Sequence, residues 1–309
     1  MHHHIGMSGA FPEPLLTING SPVAALPRCS GMYRFFDDRD ALLYVGKSLD
    51  LRSRLRGHYR DAVNGGRQRR MMRMVHRVDC RPTAGELGAL LLESEAIKME
   101  NPRFNRRLRR LRRLWTLALE EDRSGFLQPS CLDFAPDGER LRDTFGLYGS
   151  RYHLEKMLRG LARDHGLCLR VLGLDRGRGP CFQHQLRRCR GACAGRESAR
   201  SHNRRLLDLL GNQRIAAWPF SGPVLLDEAA DEACEHRPPR EWHVVNHWAY
   251  LGTFAELAAA RRVGKKPEKK PFDRDAYQLL VRSMCRGGTR LVDPTSAREL
   301  ANPFQGVAP

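Results

Sequence analysis

The 309-residue sequence contains no run of about 18 apolar residues, the length a helix needs to cross a bilayer, and no leader of basic, apolar and small-residue segments. These absences point to a cytoplasmic protein. No internal repeat and no C-x2-C knuckle occurs, and nothing resembles a base-reading recognition helix. Acidic residues are under-represented: 35 Asp plus Glu face 53 Lys plus Arg, a formal charge of +18. Such an excess concentrates polyanions, of which nucleic acid is the usual one. Nine cysteines, an odd number without a secretory context, argue against a disulfide framework. The hydrophobic content of 41% permits real cores, and the length suits two modest domains.

Residues 1–26 read as an irregular arm broken by Pro12, Pro14, Gly20 and Pro22. Gly31–Phe36 and Ala41–Val45 read as strands joined through Asp37–Asp40 into a hairpin, and Val75–Cys80 as a third strand. Ser48 can cap a helix with Leu51 and Leu55 on its inner face. A second helix runs through AGELGALLLESEAIKM, opened by a Thr83/Glu86 capping box and ended by Pro102. Another covers Gly149–His165, and GKKPEKKP near Gly264 reads as an exposed linker. The expected divisions are an arm (1–26), a first domain (27–115), a connector with clustered cysteines (116–200) and a C-terminal region (201–309).

The hairpin puts Tyr33 and Tyr44 on neighbouring strands, with Gly46-Lys47-Ser48 as a strand-to-helix turn. Arg54 and His58, four residues apart, share a helix face beside the Leu51/Leu55 seam. Together with Lys47 they form a candidate phosphate-binding rim. On the second helix the apolar stripe is Leu87, Leu90, Leu91 and Ile97. Glu86 is accounted for by the capping box, and Glu95 points toward solvent. Glu93, three residues after Leu90 and four before Ile97, borders the buried face, where a carboxylate is costly unless paired or bound to a metal. Downstream, Arg103, Arg106, Arg107, Arg109, Arg110, Arg112 and Arg113 form a basic run suited to phosphate contacts without base specificity.

Four of the nine cysteines lie close together: Cys168, Cys181, Cys189 and Cys193, spaced C-x12-C-x7-C-x3-C. The pattern suggests a four-thiolate metal site without naming the metal. Arg187, Arg188 and Arg190 beside it would favour thiolates.

Gly31-Met32-Tyr33 and Tyr44-Val45-Gly46 resemble the paired tripeptides of the GIY-YIG nuclease family, each with an apolar residue at its centre. The family's lysine, helix arginine, catalytic glutamate and downstream asparagine match Lys47, Arg54, Glu93 and Asn105. Many UvrC proteins carry tyrosine where this chain has His58, which leaves open whether His58 or a tyrosine handles the proton. The resemblance to UvrC continues through FGLYGSRYHLEKMLRGLARDHGLC to about Gly195. Beyond it, as in WHVVNHWAYLG, the chain is similar to the short UvrC homologues of the Cho type.

The resemblance implies an α+β fold: a small antiparallel sheet flanked by helices, then a mixed, largely helical cysteine-rich domain. It implies phosphodiester hydrolysis with one Mg²⁺ or Mn²⁺ held by Glu93, leaving 3′-hydroxyl and 5′-phosphate ends, with Tyr33 or Tyr44 as base. Cys168, Cys181, Cys189 and Cys193 would hold a [4Fe–4S] cluster, zinc being the alternative. The partners implied are damaged duplex DNA and UvrB loaded by UvrA, with one incision 3′ to the lesion. No room is expected for a second, RNase H-like nuclease domain or a helix–hairpin–helix pair. A free-standing structure-specific or restriction-like nuclease and a non-catalytic DNA-binding module are the other readings.

Replacing Arg109, Arg110, Arg112 and Arg113 with neutral residues should weaken DNA binding. It should also flatten the plot of log K against log salt by about 0.9 for each phosphate no longer neutralised. An unchanged slope in a salt titration would make the run an ordinary solvated surface.

Overall fold

The computed structural model describes residues 28–63, 65–105, 113–134, 144–177, 179–232, 236–286 and 289–305. The expected N-terminal arm, Cys234 and Arg106, Arg107, Arg109, Arg110 and Arg112 lie outside them.

Strands β1 (Gly31–Phe36) and β2 (Leu42–Ser48) form the hairpin, and helices α1 (Leu51–Val63) and α2 (Gly66–Met72) follow. Strand β3 (Arg77–Pro82) then completes an antiparallel sheet of order β2-β1-β3, and helix α3 (Glu86–Glu100) ends at Asn101, which adopts the left-handed conformation before Pro102. Period-two alternation gives β1 two apolar faces. Tyr33 and Phe35 pack with Leu43, Leu51, Leu55, Ala62, Met71 and Met72 on the α1/α2 side. Met32 and Val45 pack with Leu92, Ala96 and Ile97 of α3 on the other.

Three local expectations need correction. The third strand starts two residues later than expected, because Val75 closes the turn after α2 by donating to Met72 O. The side chain of Asp50, not Ser48, accepts from a helix amide, that of Ser53, at 2.9 Å; Ser48 Oγ donates to Asp50 O. The capping box does not form: the N-cap residue is Gly85, Thr83 Oγ1 donates to Gly85 O, and Glu86 pairs with Lys47.

Next come β4 (Trp115–Glu121), β5 (Leu127–Asp133) and β6 (Thr144–Tyr148), a sheet of order β5-β4-β6. Helix α4 (Arg151–His165) is capped by Ser150, whose side chain accepts from His153 N, and is terminated at Gly166. The cysteine segment holds the short helix α5 (Phe182–Gln185), and α6 (Ala199–Leu210) closes this part. Leu117, Phe145, Leu154, Leu158, Leu206 and Leu210 share its core. The division expected after residue 200 therefore cuts a helix that belongs with the cysteine segment.

The C-terminal region is a five-stranded antiparallel sheet. It consists of β7 (Val224–Ala229), β8 (Arg240–Asn246), β9 (Ala249–Phe254), then helices α7 (Leu257–Lys265) and α8 (Arg274–Arg286), and β10 (Arg290–Val292) and β11 (Glu299–Leu300), in the order β11-β10-β7-β8-β9. The elements β1–α3 and β7–β11 form one compact unit and β4–α6 a second. Among the described residues no helix is long and apolar enough to cross a membrane.

Candidate active site and thiol cluster

Two missing side chains shape the site. Gly46 lies opposite Tyr33 across the hairpin. A Cβ there would stand 2.3 Å from Tyr33 Oη and 2.8 Å from Tyr44 Cε1, so only glycine lets both rings lie against the strand. A Cβ at Gly31 would stand 2.6 Å from Arg81 O and 2.8 Å from Leu51 Cδ1, so glycine there lets β3 and α1 close on β1. The outer glycines of both tripeptides are steric requirements of the hairpin.

Tyr33 is fully buried. Its Oη lies 2.7 Å from His58 Nε2 and accepts from Arg54 Nε at 3.2 Å. Behind His58, the Gln68 amide nitrogen lies 2.5 Å from Nδ1 and 3.4 Å from His58 O. An amide nitrogen facing a carbonyl oxygen is a donor, so Nδ1 accepts and the ring proton sits on Nε2, aimed at Tyr33. The His58 ring packs edge-on against Tyr33, Phe35 and Tyr44, with centroids 5.1–5.6 Å apart. Burial first, then the Arg54 charge, push its pKa down to about 3, so the imidazole is neutral at working pH. Burial, then neighbouring Tyr44, raise the Tyr33 phenol well above its ordinary value. Burial opposes the Arg54 charge, but Tyr33 and Tyr44 beside it more than compensate and raise its pKa. Tyr44 itself is half-buried.

On the α3 side, the backbone N–H of Lys47 and the Lys47 and Arg54 charges favour a charged Glu93 carboxylate. Burial outweighs all three and pushes its pKa up to about 7. Lys47 Nζ is held at 2.7 Å by Glu86. Tyr33, Tyr44, Lys47, Arg54, His58 and Glu93 thus come together. Asn105 is bonded to the strand between Tyr44 and Gly46: its Oδ1 accepts from Val45 N and its Nδ2 donates to Val45 O, both at 2.9 Å. It seals the outer edge of β2 and fixes the strand that carries Tyr44 and Gly46. Arg103 is exposed, 5.9 Å from the Phe104 ring centroid, and exposed Arg113 lies 3.5 Å from Asp133. Glu95, expected to face solvent, is half-exposed and paired with Lys270 at 2.9 Å.

In the second unit Cys168, Cys181 and Cys193 converge, their sulfurs all within 4.8 Å of one another, and Cys189 joins them through Cys181. Cys181 Sγ lies 3.8 Å from Cys168 Sγ and 3.7 Å from Cys189 Sγ, and Cys193 Sγ accepts from Cys181 N at 3.3 Å. Burial opposes ionisation of Cys181, but the His184 amide and the neighbouring thiols lower its pKa. Burial and the same neighbours push Cys189 up to about 12 and Cys193 up to about 11. Sulfurs this close resist joint ionisation unless a cation sits among them, so the donor set fits a thiolate-bound metal. Arg187, Arg188 and Arg190, expected to favour thiolates, are exposed, and the amides of His184 and Gly191 do that instead.

Comparison with known proteins agrees along the chain. The UvrC-like GIY-YIG domain matches residues 29–106, the UvrC/Cho excinuclease middle domain 116–212, and the excinuclease Cho C-terminal domain 223–298. Excinuclease cho of Escherichia coli K12 is 35% identical over 278 residues, spanning 89% of this chain and 88% of its own. The chain belongs to the Cho excinuclease family. It is therefore a GIY-YIG DNA endonuclease of the excision-repair type. The Salmonella typhi excinuclease cho is also 35% identical, over 92% of this chain and 91% of its own. The UvrABC system protein C of Haemophilus influenzae is 30% identical over 53% of this chain and 26% of its own. The magnesium-bound GIY-YIG endonuclease domain of Thermotoga maritima UvrC matches 27% of this chain and 90% of its own, at 24% identity and TM-score 0.24.

Sequence reasoning missed Gln68, which follows the glycines at 65 and 66 and carries no motif. Only folding brings it to His58.

This Cho-family chain, purified anaerobically, should carry metal at the thiols: about four irons for a cluster or about one zinc. Cys181→Ala should lose the metal and melt at lower temperature. A metal-free wild type together with an equally stable variant would dissolve the site.

Proposed function

We propose that the chain makes a single incision on the 3′ side of a DNA lesion in the cytoplasm, after UvrA has loaded UvrB there. Glu93 would hold one Mg²⁺ or Mn²⁺, both hard ions suited to carboxylate and water. The observation that carries this reading is the place of Glu93, a half-buried carboxyl group on α3 beside Lys47 and Arg54, where partial burial pushes its pKa up to about 7. Such a group gains charge stabilisation when a cation arrives. When bound, the ion would polarise the scissile phosphate and stabilise the departing 3′ oxygen.

The remaining roles follow from exposure and hydrogen bonding. Tyr44, half-buried and beside Arg54, would as the phenolate take a proton from the attacking water. Tyr33 is enclosed, and His58 and Arg54 occupy its oxygen, so it positions Arg54. His58, neutral and behind Tyr33, steadies that phenol and does not exchange protons with substrate. Lys47 and Arg54 offset charge developing on the phosphate, which leaves 5′-phosphate and 3′-hydroxyl ends. Asn105 acts through β2, and the basic run from Arg103 to Arg113 holds the duplex by charge.

At the thiol cluster we favour [4Fe–4S], the group carried by the resembling UvrC segment, with zinc as the alternative. Sulfurs 3.7 and 3.8 Å apart suit one tetrahedral ion, which is the observation that keeps zinc as the alternative.

Glu93→Ala should lower incision of lesion-bearing duplex on the order of 10³-fold while leaving DNA affinity nearly unchanged, because the ligand acts on the transition state. Incision assayed with and without UvrA and UvrB separates this reading from a free-standing nuclease, which would cut undamaged DNA equally. Joint loss of cutting and binding would point to a folding role for Glu93.

A further inference from the structure

Helix α3 carries Glu93, yet its own residues provide no cap. Its N-cap residue, Gly85, has no side chain, and Glu86 is turned toward Lys47. The first turn still exposes amide groups that need acceptors. The C-terminal sheet supplies them. Glu228 on β7 accepts from Leu87 N through Oε1 and from Gly88 N through Oε2, both at 2.8 Å. Glu241 on β8 accepts from Ala84 N at 2.9 Å.

Glu228 is itself held. His243, fully buried on β8, places Nε2 3.0 Å from Glu228 Oε2, and its Nδ1 lies 2.8 Å from Thr253 Oγ1. Thr253 Oγ1 in turn lies 2.6 Å from Tyr250 Oη. Burial opposes a charged Glu228, but His243 and the two helix amides lower its pKa below the usual glutamate value. Two glycines make room for the pair of carboxylates. A Cβ at Gly85 would stand 2.3 Å from Glu228 Oε1, and one at Gly88 would stand 2.8 Å from Glu241 Oε2 and 3.1 Å from Glu228 Oε2. Farther along α3, Lys98 meets Asp273 and Asp275 at 2.5 and 2.7 Å, and Glu95 meets Lys270.

We propose that Glu228, oriented by His243, is a positioning residue for the nuclease: it caps α3 from the C-terminal sheet and so fixes where Glu93 stands beside Lys47. The proposal rests on Glu93 being the metal-holding carboxylate. Glu93 lies five residues past Gly88, about 7.5 Å along a stiff helix, so a shift or fraying of the first turn reaches it directly. A carboxylate on free N-terminal amides gains both hydrogen bonds and the favourable end of the helix dipole. The external cap also leaves Glu86 to Lys47. Without it, Thr83 and Glu86 could close the local capping box and draw Glu86 off the lysine. The C-terminal sheet is on this account a working part of the nuclease.

The test uses the full chain with Glu228→Ala, Glu228→Gln and Gly85→Ala. The last keeps every titratable group, and since Gly85 has an ordinary extended backbone, its methyl acts only by displacing the Glu228 carboxylate. Two readouts are needed: hydrogen exchange at the Leu87 and Gly88 amides, and incision kinetics against Mn²⁺ concentration. Glu228→Ala and Gly85→Ala should speed exchange at those amides, lower kcat and raise the half-saturating Mn²⁺ concentration, each about tenfold, with KM for DNA unchanged. Glu228→Gln, which keeps the shape and one acceptor, should recover part of the loss, and it carries the same test if Glu228→Ala does not fold. A merely structural role would lower melting temperature and active fraction without moving the Mn²⁺ dependence, and that result overturns the proposal. So does unchanged amide exchange. Were Glu93→Ala to cut normally, the reading of the site would fall, while exchange at Leu87 and Gly88 would still report the cap.

Discussion

Glu93 has to keep a carboxylate at the half-buried border of an apolar core, and that requirement governs both sides of the helix that bears it. Toward the nuclease sheet, Leu92, Ala96 and Ile97 pack on Met32 and Val45. Toward the C-terminal sheet, the first turn is tied to Glu228 and the residue before its N-cap, Ala84, to Glu241. Between these anchors the carboxyl meets the Lys47 amide in surroundings dry enough to raise its pKa to about 7. The hairpin glycines, the Tyr33–His58–Gln68 chain and the Asn105 brace all serve to hold the opposite wall of that site in place.

The wall divides labour between two tyrosines that look equivalent in sequence. Tyr33 lies on the inner strand opposite Gly46, hydrogen-bonded and enclosed. Tyr44 lies one strand outward, half-buried and next to Arg54. The histidine in place of the tyrosine found in many UvrC proteins falls on the enclosed side, where burial keeps it neutral. Its substitution therefore alters the support of Tyr33 and the edge-on ring contact with Tyr44.

The hairpin, α1 and the border position of Glu93 were legible because each rests on short-range periodicity and on glycines at fixed places. The capping of α3 was not, because its acceptors lie more than 130 residues away: Glu228 and Glu241 against Leu87 and Ala84. One signal was available. Leu87, Ala89, Leu91, Leu92, Ala96 and Ile97 are all buried, so the helix is apolar nearly all round instead of along one stripe. A helix of that kind needs a second packing partner. Gly85 and Gly88 at its start marked where the partner's carboxylates come close. The C-terminal sheet, with buried His243 and Glu241 in an apolar strand, resembles nothing that short-range pattern reading identifies as part of a nuclease.

The most direct test is a titration of the Glu93 carboxyl by carbon NMR, with and without Mg²⁺. A buried carboxyl whose folded pKa lies above its ordinary value favours the protonated form. It therefore costs the metal-free protein stability as pH rises from about 4.5 through about 7, and a bound cation removes that cost. The account predicts a midpoint near 7 without metal and a fall to the ordinary glutamate range or below with saturating Mg²⁺. A midpoint already in the ordinary range, and indifferent to Mg²⁺, would contradict it.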